Sequence, residues 1–416
     1  MENKIIKQDR EPQSLRKHYD SIIVGAGYTG FHAAIGLARE GRSVLIIDKR
    51  KLGSGASGKN AGMLLPGVKA PIKDCLSTYG LNFTRDIWFW SHDAIDYVEN
   101  FTKTENIHCD FSHTGSIELA FKEKHIKNLM DKKNFLLNKF SYNKIRFLNK
   151  DDLSKEIDTE AYHSGLLYEK SASLDPARYL EGLYNISLEL GIDILENQSV
   201  DKINQEKNIV FIRTKDFYFS TQKLLLATNG YSLWRFPKLR SNILPLASYI
   251  VVSDFLPKLI QKKLNPQNRL FFDTKKLLNY FRLTPDKRLL FGGRNVLSRK
   301  NDHHQSAKSL KEEIIRIFPD LKNIRLSHSW SGHLAVTYNL LPHLHSSGNI
   351  YYAYGYCGHG VSLASYLGKE SADLMLGKTI HPLHEKIKRK PFFIPYADKI
   401  ILPILSRYYN FIDRIF

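Results

Sequence analysis

The hydrophobic pattern predicts a buried strand, a helix and a second buried strand near the beginning of the chain. Residues 19–24 end in the apolar run Ile-Ile-Val, which is typical of a strand covered on both faces. Apolar residues then recur at helical spacing from Ala33 to Ala38, and this pattern ends at Gly41. Residues 43–48 form a second apolar run that ends in an acid. Together the three segments predict a β-α-β unit.

The turn between the first strand and the helix carries the pattern G-x-G-x-x-G at Gly25, Gly27 and Gly30. In this pattern the first glycine permits a tight turn, the second lets the backbone approach a pyrophosphate, and the third lets helix and strand pack closely. The helix N-terminus offers unpaired N–H groups to the phosphates. Asp48, 23 residues after Gly25, can accept hydrogen bonds from a ribose. These residues predict a dinucleotide site.

Two distant segments bear on whether the dinucleotide is a nicotinamide or a flavin. Residues 223–226 are a predicted buried strand that ends in the small-residue turn 227–230. Residues 355–360 form a second glycine-rich turn, which opens a predicted helix over 361–368. The positive end of that helix would stabilise a negatively charged reduced flavin, and a simple NAD-binding fold does not need it. The small-residue loop 53–62 fits either a flavin-binding segment or a flexible loop.

Length and charge narrow the class of protein. The chain has 416 residues, of which 43% are hydrophobic, so more than one domain is expected. The 61 Lys and Arg residues exceed the 42 Asp and Glu residues, giving a formal net charge of +19. Nucleic acid, an anionic membrane surface, an anionic cofactor or substrate, and compositional bias are competing explanations. The basic residues are dispersed and no RNA-binding module is recognisable. Compositional bias is therefore the favoured explanation of the net charge, and no nucleic-acid partner is expected.

The cysteines and histidines indicate neither a disulfide framework nor a metal site. Cys75, Cys109 and Cys357 are far apart, and His303-His304, His343 and His345 lack the carboxylates typical of a metal site. No metal is therefore expected. The polar residues 1–20 contain no apolar signal segment, and no run approaches about 18 apolar residues. These patterns are typical of a cytoplasmic protein.

Four motifs carry a resemblance to a known family. They are GASGKNAG (55–62), LDPARYLEGL (174–183), LLLATNG (224–230) and GYCGHGVSLASYLG (355–368). Together they resemble the FAD-dependent D-amino-acid, glycine and sarcosine oxidase superfamily over about residues 19–377. NGYSLWRFPKLRSNILPL (229–246) and NYFRLTPDKRLLFGGR (279–294) are similar to its gamma-glutamylputrescine oxidoreductase-like branch.

The resemblance implies an α/β fold with a Rossmann-like FAD-binding domain interleaved with an α+β substrate domain built on an antiparallel sheet. The implied segments are 19–68, 160–236 and 326–378 for the FAD-binding domain, and 69–159 and 237–325 for the substrate domain. Residues 379–416 form a basic, aromatic C-terminal tail. This tail could dock on the protein's own body, touch an anionic membrane at its inner face, or both, and docking on the body is favoured.

Position by position, the resemblance also implies where non-covalent FAD binds. Gly25, Gly27 and Gly30 would lie at the pyrophosphate, and Asp48 at the ribose. The other implied contacts are Ser57, Lys59, Asn60 and Gly62 on the flavin side of the phosphates, Val200 at the adenine, Ala227, Thr228 and Gly230 along the phosphates, and Gly358, His359 and Gly360 at the isoalloxazine carbonyl.

The chain departs from the family pattern near the implied flavin. Lys59 and Ala61 stand where the branch more often has Arg and Gly. Val361-Ser362 follows the GHG segment, where sarcosine oxidases have a basic residue that helps hold the substrate carboxylate, so a simple N-methyl amino acid is disfavoured. Cys357 raises the question of covalent flavin attachment. A small buried residue in a packed turn is the favoured interpretation.

A predicted hairpin over residues 277–294 supplies candidate substrate contacts. Alternation places Tyr280 and Arg282 on one face of its first strand. If that face looks at the flavin, Arg282 could bind an anionic group and Tyr280 could border the substrate. The alternative is a surface charge beside a packed aromatic ring. Tyr280, Arg282 and His359 are the candidate catalytic residues.

The activity that the resemblance implies is oxidation of a C–N bond in a primary or secondary amine or an amino acid. Hydride would pass from the α-carbon of a small-molecule amine to flavin N5, and the imine would hydrolyse in water. The electron acceptor would be oxygen, a quinone or a carrier protein. Two alternatives remain open: FAD-dependent modification of the tRNA wobble uridine, and a flavin-binding protein without turnover.

Overall fold

The computed structural model describes residues 15–232, 236–293, 303–392 and 397–415. The polar arm 1–14, residues 233–235 and Arg294 of the motifs quoted above lie outside this described part. Its helices are α1 (Tyr28–Arg39), α2 (Ile72–Thr104), α3 (Lys124–Phe140), α4 (Lys150–Ser154), α5 (Pro176–Glu189), α6 (Pro237–Arg240), α7 (Lys258–Leu264), α8 (His303–Ile317), α9 (Gly360–Leu376), α10 (Leu383–Lys386) and α11 (Ala397–Ile415).

The strands divide into a first sheet, a second sheet and a small three-stranded sheet. They are β1 (His18–Val24), β2 (Val44–Ile47), β3 (Met63–Leu64), β4 (Ser112–His113), β5 (Ser116–Leu119), β6 (Ile145–Leu148), β7 (Gly165–Tyr168), β8 (Ala172–Ser173), β9 (Asp193–Leu195), β10 (Lys202–Glu206), β11 (Ile209–Arg213), β12 (Tyr218–Leu226), β13 (Leu244–Phe255), β14 (Leu270–Asp273), β15 (Tyr280–Leu283), β16 (Arg288–Gly293), β17 (Leu326–Val336), β18 (His343–Ser347) and β19 (Ile350–Tyr354).

The first sheet contains the predicted β-α-β unit. Its strand order is β10-β11-β12-β1-β2-β9, with β19 on β12 and β18 on β19. β1 runs parallel to both β2 and β12, and β12 runs parallel to β19. Val24 pairs with Leu226, and Leu226 pairs with Tyr352. The carboxyl ends of β1, β12 and β19 therefore lie side by side, although they are more than a hundred residues apart in the chain.

The second sheet is mostly antiparallel, with the order β17-β13-β16-β15-β14-β5-β7-β6. It includes the predicted hairpin, now seen as β15 and β16. It also includes β7 and β17, which the sequence division placed with the FAD-binding segments. Conversely, Trp90 of α2 belongs to the same buried cluster as Phe31 of α1, although residues 69–159 were assigned to the substrate domain. Contacts between segments far apart in the chain decide to which sheet or cluster each segment belongs. The local hydrophobic pattern does not contain this information.

Two helices from opposite ends of the chain pack together beside the first sheet. A Cβ on Gly368 of α9 would lie 2.5 Å from the carbonyl oxygen of Thr29 in α1, so a side chain there would force the helices apart. Asp175 caps the N-terminus of α5, because its Oδ1 accepts hydrogen bonds from the backbone N–H groups of Ala177 and Arg178 at 2.9 and 3.2 Å. These contacts fix the helices around the ends of β1 and β12.

The C-terminal tail docks on the body of the protein. Leu402 of α11 is 1% exposed and packs in a cluster with Leu244 and Leu277. The Asp413 carboxylate accepts hydrogen bonds from the backbone N–H groups of residues 276 and 277, both at 2.9 Å. Among the described residues, no helix is long and apolar enough to cross a membrane, and no group of His, Cys, Asp and Glu is arranged to hold a metal ion.

Candidate active site

A cavity of about 1300 Å³, including its open mouth, lies at the carboxyl ends of β1, β12 and β19. Most of the predicted cofactor residues line it, and they come from the beginning, the middle and the C-terminal part of the chain. These are Gly25, Gly27, Asp48, Ser57, Asn60, Val200, Ala227, Thr228, Gly358 and Gly360. The other predicted residues do not line the cavity but lie within two residues of the lining along the chain: Gly30, Lys59, Gly62, Gly230 and His359.

The glycines of the first turn are required by close backbone approaches. Gly25 has φ of +117°, a conformation that side chains disfavour, and a Cβ there would lie 2.7 Å from the carbonyl oxygen of Ala227. A Cβ on Gly30 would lie 1.9 Å from the carbonyl oxygen of Gly25. Gly30 therefore lets α1 pack on the turn, while Gly25 and Gly27 form the cavity wall.

Two helix N-termini open onto this cavity. α1 begins after Gly27 and α9 begins after His359, and neither end has a side-chain cap or an acidic residue in its first turn. Gly27 and Gly360, at the two ends, both line the cavity. The partial positive charge of each end favours an anionic ligand. This arrangement fits FAD, whose pyrophosphate is anionic and whose flavin becomes anionic on reduction.

Asp48 lies directly after β2 and lines the cavity. Its Oδ2 accepts a hydrogen bond from the N–H of Ala26 at 2.9 Å, and its Oδ1 accepts one from the N–H of Arg50 at 3.0 Å. These bonds fix the carboxylate, and its remaining lone pairs can accept ribose hydroxyls.

Sequence reasoning missed a basic and aromatic group beside Asp48. The guanidinium of Arg50 lies 4.5 Å from the centre of the Tyr231 ring, and Lys49 Nζ donates to the Tyr231 carbonyl at 3.1 Å. All three residues line the cavity. The run Lys49-Arg50-Lys51 directly after the acid was the available signal. Tyr231 carried no comparable signal, because it is brought to the site from 180 residues away.

Hydrogen bonds connect the small-residue loop to the first turn of α1 and to itself. Ser57 Oγ accepts from the N–H of Tyr28 at 3.1 Å. Asn60 Nδ2 donates to the carbonyls of Ala56 and Ser57 at 3.1 and 2.8 Å, and its Oδ1 accepts from the N–H of Gly62 at 2.8 Å. These bonds set the path of the loop along the cavity.

Lys59 does not line the cavity, and its backbone makes a contact to the second sheet. Its carbonyl accepts a hydrogen bond from Trp330 Nε1 at 2.9 Å, which ties the loop to the second sheet. Burial, followed by the nearby charge of Arg50, lowers the pKa of the Lys59 amine. The branch more often has arginine at this position. Because the hydrogen bond to Trp330 uses the backbone carbonyl, it does not depend on whether the side chain is lysine or arginine.

Tyr280 and Arg282 share one face of β15, as predicted, and that face looks toward the small-residue loop. Arg282 is 4% exposed, so the surface-charge alternative is wrong. Its Nε donates to the carbonyl of Ala61 at 2.7 Å and its Nη2 to the carbonyl of Leu174 at 3.0 Å. Burial lowers the pKa of this guanidinium to about 10. This geometry favours a positioning role for Arg282 over direct binding of an anionic substrate group.

Tyr280 lies over the backbone of the next strand. A Cβ on Gly292 would lie 2.2 Å from the Tyr280 ring, so only glycine accommodates the ring there. The Tyr280 hydroxyl is 3.1 Å from Ser248 Oγ. Its ring packs in a cluster with Ala61 and Trp330. Tyr280 therefore borders the space between the loop and the second sheet.

His359 occupies the N-cap position of α9 beside the cavity, and its side chain makes no capping hydrogen bond. Part of its side chain is exposed, but Nδ1 is buried and has no hydrogen-bond partner among the described residues. Burial and then the charge of Lys69 lower the pKa of His359 to about 4, against a hydrogen bond to the backbone of Leu65 that raises it. The imidazole is therefore neutral at neutral pH.

Cys357 lines the cavity but is 3% exposed. Its φ is +52°, and its Sγ donates to the carbonyl of Gly355 at 3.2 Å. The residue thus sits in a tight turn, and this environment agrees with a structural role.

The chain matches the DAO family, described as FAD dependent oxidoreductase, over residues 20–374. It belongs to this family. The protein is therefore an FAD-dependent oxidoreductase, and the superfamily resemblance of its motifs is confirmed. FAD is compatible with the residues present, because glycine backbone, two helix N-termini and a fixed carboxylate line one cavity.

Similar proteins agree with this assignment. "Probable oxidoreductase OrdL" of Haemophilus influenzae is 28% identical over 97% of this chain and 94% of that protein. "Gamma-glutamylputrescine oxidoreductase" of Escherichia coli is 26% identical over 86% of this chain and 84% of that protein. The crystal structure of glycine oxidase from Geobacillus kaustophilus has a TM-score of 0.74 at 20% identity, covering 88% of this chain and 96% of that chain. The structural match confirms the expected fold class.

Proposed function

We propose that this protein, a member of the DAO family, oxidises the C–N bond of a primary or secondary amine or an amino acid. The observation that carries this proposal is the convergence of two helix N-termini on one cavity beside the Tyr280 face of the second sheet. Bound FAD supplies the acceptor for the hydride on the carbon next to nitrogen. The imine so formed hydrolyses in water.

The protein's part is binding and orientation. Gly25, Gly27 and Asp48 would hold the dinucleotide, and Gly358 and Gly360 would present backbone N–H groups to the flavin carbonyl. Ser57, Asn60, Val200, Ala227 and Thr228 would complete the cofactor contacts along the lining. The FAD would be held without a covalent bond.

The substrate would occupy the space between the small-residue loop and the second sheet. Tyr280 and Trp330 would form its aromatic wall, and Arg282 would tie the loop to the segment before α5 through the carbonyls of Ala61 and Leu174. His359, neutral at neutral pH, would offer Nδ1 as a hydrogen-bond partner to a polar atom of substrate or cofactor. A substrate amine that binds in its neutral form needs no strong base.

Anaerobic mixing of the FAD-loaded protein with a panel of amines and amino acids tests the proposal. Loss of the visible absorbance of oxidised flavin, with formation of the corresponding aldehyde, ketone or keto acid, is the expected result. A flavin that none of the compounds reduces would support a binding protein without turnover instead. Salt-sensitive binding of tRNA would point to the tRNA-modification alternative, because phosphate contacts release counterions. Reoxidation by oxygen, a quinone or a carrier protein then identifies the electron acceptor.

We also propose that the outer face of α11 contacts an anionic membrane surface. Ile404, Tyr408 and Phe411 follow one another at spacings of four and three residues and are 64, 56 and 55% exposed. Arg407 is exposed beside them. An apolar stripe beside a basic residue is compatible with an interfacial helix. Sedimentation with phosphatidylglycerol vesicles but not phosphatidylcholine vesicles is expected, and absence of binding to both would contradict it.

A further inference from the structure

The C-terminal helix α11 lies on the face of the second sheet that carries Tyr280. Cross-strand pairing sets Ile250 of β13 opposite Gly292, and Gly292 opposite Tyr280. Paired residues on neighbouring strands share one face, and successive residues of a strand alternate between faces. Leu244 and Leu246 of β13 are therefore on the Tyr280 face, and both pack in one cluster with α11.

One side of α11 is turned toward the body of the protein. Leu402 and Ser406 are 1 and 4% exposed, and Tyr409 is partly buried in the same cluster. Leu402, Ser406, Tyr409 and Asp413 follow one another at spacings of four, three and four residues, which place them on one face of a helix. The docked side thus extends from Leu402 to Asp413. The helix lies beyond residue 374, at which the match to the DAO family ends.

This docked side holds both segments that meet at the Tyr280 hydroxyl. Asp413 accepts its two hydrogen bonds from the backbone N–H groups of residues 276 and 277, which lie just before Tyr280 in the chain. Leu246 is two residues before Ser248, whose Oγ is 3.1 Å from the Tyr280 hydroxyl. The strand β16 lies between β13 and β15 in the sheet. α11 therefore bridges two strands that do not pair with each other.

The loop between β14 and β15 has a second support within the sheet. The Asp273 carboxylate accepts hydrogen bonds from the backbone N–H groups of Lys275 and Asn279 at 3.3 and 3.0 Å, and from Asn279 Nδ2 at 3.0 Å. Phe272 pairs with Tyr280, so the neighbouring Asp273 is on the other face. Two carboxylates therefore hold this loop, and loss of the one in α11 leaves the other in place.

The opposite end of the Tyr280 face is covered by a different helix. Glu118 pairs with Phe272, and Phe272 pairs with Tyr280, so Glu118 is on this face as well. Its carboxylate accepts a hydrogen bond from Lys132 of α3 at 2.7 Å. Tyr280 therefore lies between a part of the face that α3 covers and a part that α11 covers.

We propose that α11 is a strap that holds Tyr280 in position for substrate binding, with Leu402 and Asp413 as positioning residues. While α11 is docked, the loop before β15 and the Ser248 hydroxyl keep the Tyr280 ring over Gly292. When α11 is released, substrate binding has to supply the free energy that orders this wall. The inference rests on the proposed function, because it takes Tyr280 as a wall of the substrate site.

The cofactor should not respond to the strap. Among the described residues that line the cofactor cavity, none belongs to α11 or to β15. Release of α11 should therefore weaken substrate binding and leave the Kd for FAD unchanged. A general loosening of the fold would weaken both.

Hydrogen exchange tests the strap without any substrate. Asp413→Leu removes both acceptors, so peptides covering residues 274–283 should exchange about tenfold faster in the FAD-loaded variant than in the wild-type protein. Asp413→Asn keeps one acceptor oxygen and should give an intermediate rate. Asp131→Asn, at an exposed position of α3, is the matched control and should change nothing. Faster exchange at 274–279 with unchanged exchange at 280–283 would overturn the strap.

Substrate binding gives the second test, made without vesicles and with the panel amine that reduces the wild-type flavin at the lowest concentration. Leu402→Asp and Asp413→Leu should each raise its apparent Kd about tenfold in anaerobic flavin reduction. The limiting rate at saturation and the Kd for FAD should stay within about twofold, because saturating amine restores the wall. Ile404→Asp places the same charge on the exposed side of α11 and should change none of these quantities.

The outcomes distinguish the strap from the proposed function. An unchanged apparent Kd of the amine in both variants, or an equal rise in the Kd for FAD, would overturn the strap and leave amine oxidation intact. A wild-type flavin that no amine of the panel reduces would refute the proposed function, and the exchange rates would still decide whether α11 holds Tyr280. If Leu402→Asp lacks a cooperative melting transition, Asp413→Leu decides, since Asp413 is partly exposed.

Discussion

Replacing Arg282 by methionine tests whether this side chain holds the loop beside the flavin. The substitution would leave the buried carbonyls of Ala61 and Leu174 without their donors, at a cost of about 1–3 kcal/mol each. Against this, burial lowers the pKa of Arg282 from 12.5 to about 10, so the charge itself costs about 3 kcal/mol in the folded protein. The two contributions largely offset. We therefore expect the free energy of unfolding to fall by no more than about 3 kcal/mol.

Cofactor binding should suffer more than stability. Ala61 lies between Asn60 and Gly62 in the loop, so loss of its anchor frees the segment that lines the cavity. If about 1.4–3 kcal/mol of ordering must then come from FAD binding, the Kd for FAD rises about 10- to 100-fold. Titration of the apoprotein with FAD, followed by quenching of flavin fluorescence, measures this change, and denaturant unfolding of the apoprotein measures stability.

Arg213→Met is the matched control, because Arg213 is an exposed arginine on the strand β11. It should change neither quantity appreciably. Arg282→Lys keeps a positive charge but has no planar fork to reach both carbonyls, so it should resemble the methionine variant. An unchanged Kd for FAD in Arg282→Met would refute the positioning role. Normal FAD affinity with a large loss of substrate binding would instead restore the anion-binding role.

Three further changes have direct expected outcomes. Gly30→Ala places a Cβ 1.9 Å from the carbonyl oxygen of Gly25, so the purified protein should contain less than a tenth of the wild-type flavin per chain by absorbance; a normal flavin content would contradict the packing argument. Cys357→Ala should keep its flavin, and acid precipitation should release FAD from both proteins; flavin that stays with the wild-type pellet would show covalent attachment. Burial lowers the pKa of His32 and of His343 to about 3, below their unfolded value near 6.5. Between these two pH values the unfolded chain binds more protons than the folded protein. The free energy of unfolding should therefore fall as the pH drops from about 6.5 toward 3. Denaturant midpoints across that range measure the slope, which His32→Gln should reduce; an unchanged slope would mean that His32 does not carry it.

Short-range patterns predicted the β-α-β unit at the proposed cofactor end of the site. Gly25, Gly27 and Asp48 lie within one β-α-β unit, whose pairings join residues about 20 apart. The strand periodicity and the turn glycines of such a unit are visible in the sequence itself. The hairpin of β15 and β16 was predictable for the same reason, and so was the shared face of Tyr280 and Arg282.

Contacts between residues far apart in the chain could not be predicted from the sequence. The assignment of β7 and β17 to the second sheet depends on which strands pair, and the hydrophobic pattern of a strand does not name its neighbour. The environment of Arg282 depends on the carbonyl of Ala61, 221 residues away in the chain. The same arginine could have been exposed without any change in local pattern, which is why the surface alternative stayed open until the fold was known.

The sequence by itself predicted a dinucleotide site at the first turn, because the glycines, the helix start and the acid that are needed are neighbours in the chain. Its motifs also determined the family. Only the tertiary structure decided that the N-termini of α1 and α9 face one cavity and that Arg282 donates a hydrogen bond to the carbonyl of Ala61 in the loop. It also decided that Glu118 shares a sheet face with Tyr280. Those relations arise when strands far apart in sequence pair and bury a common face, and the free energy of that pairing depends on the whole fold.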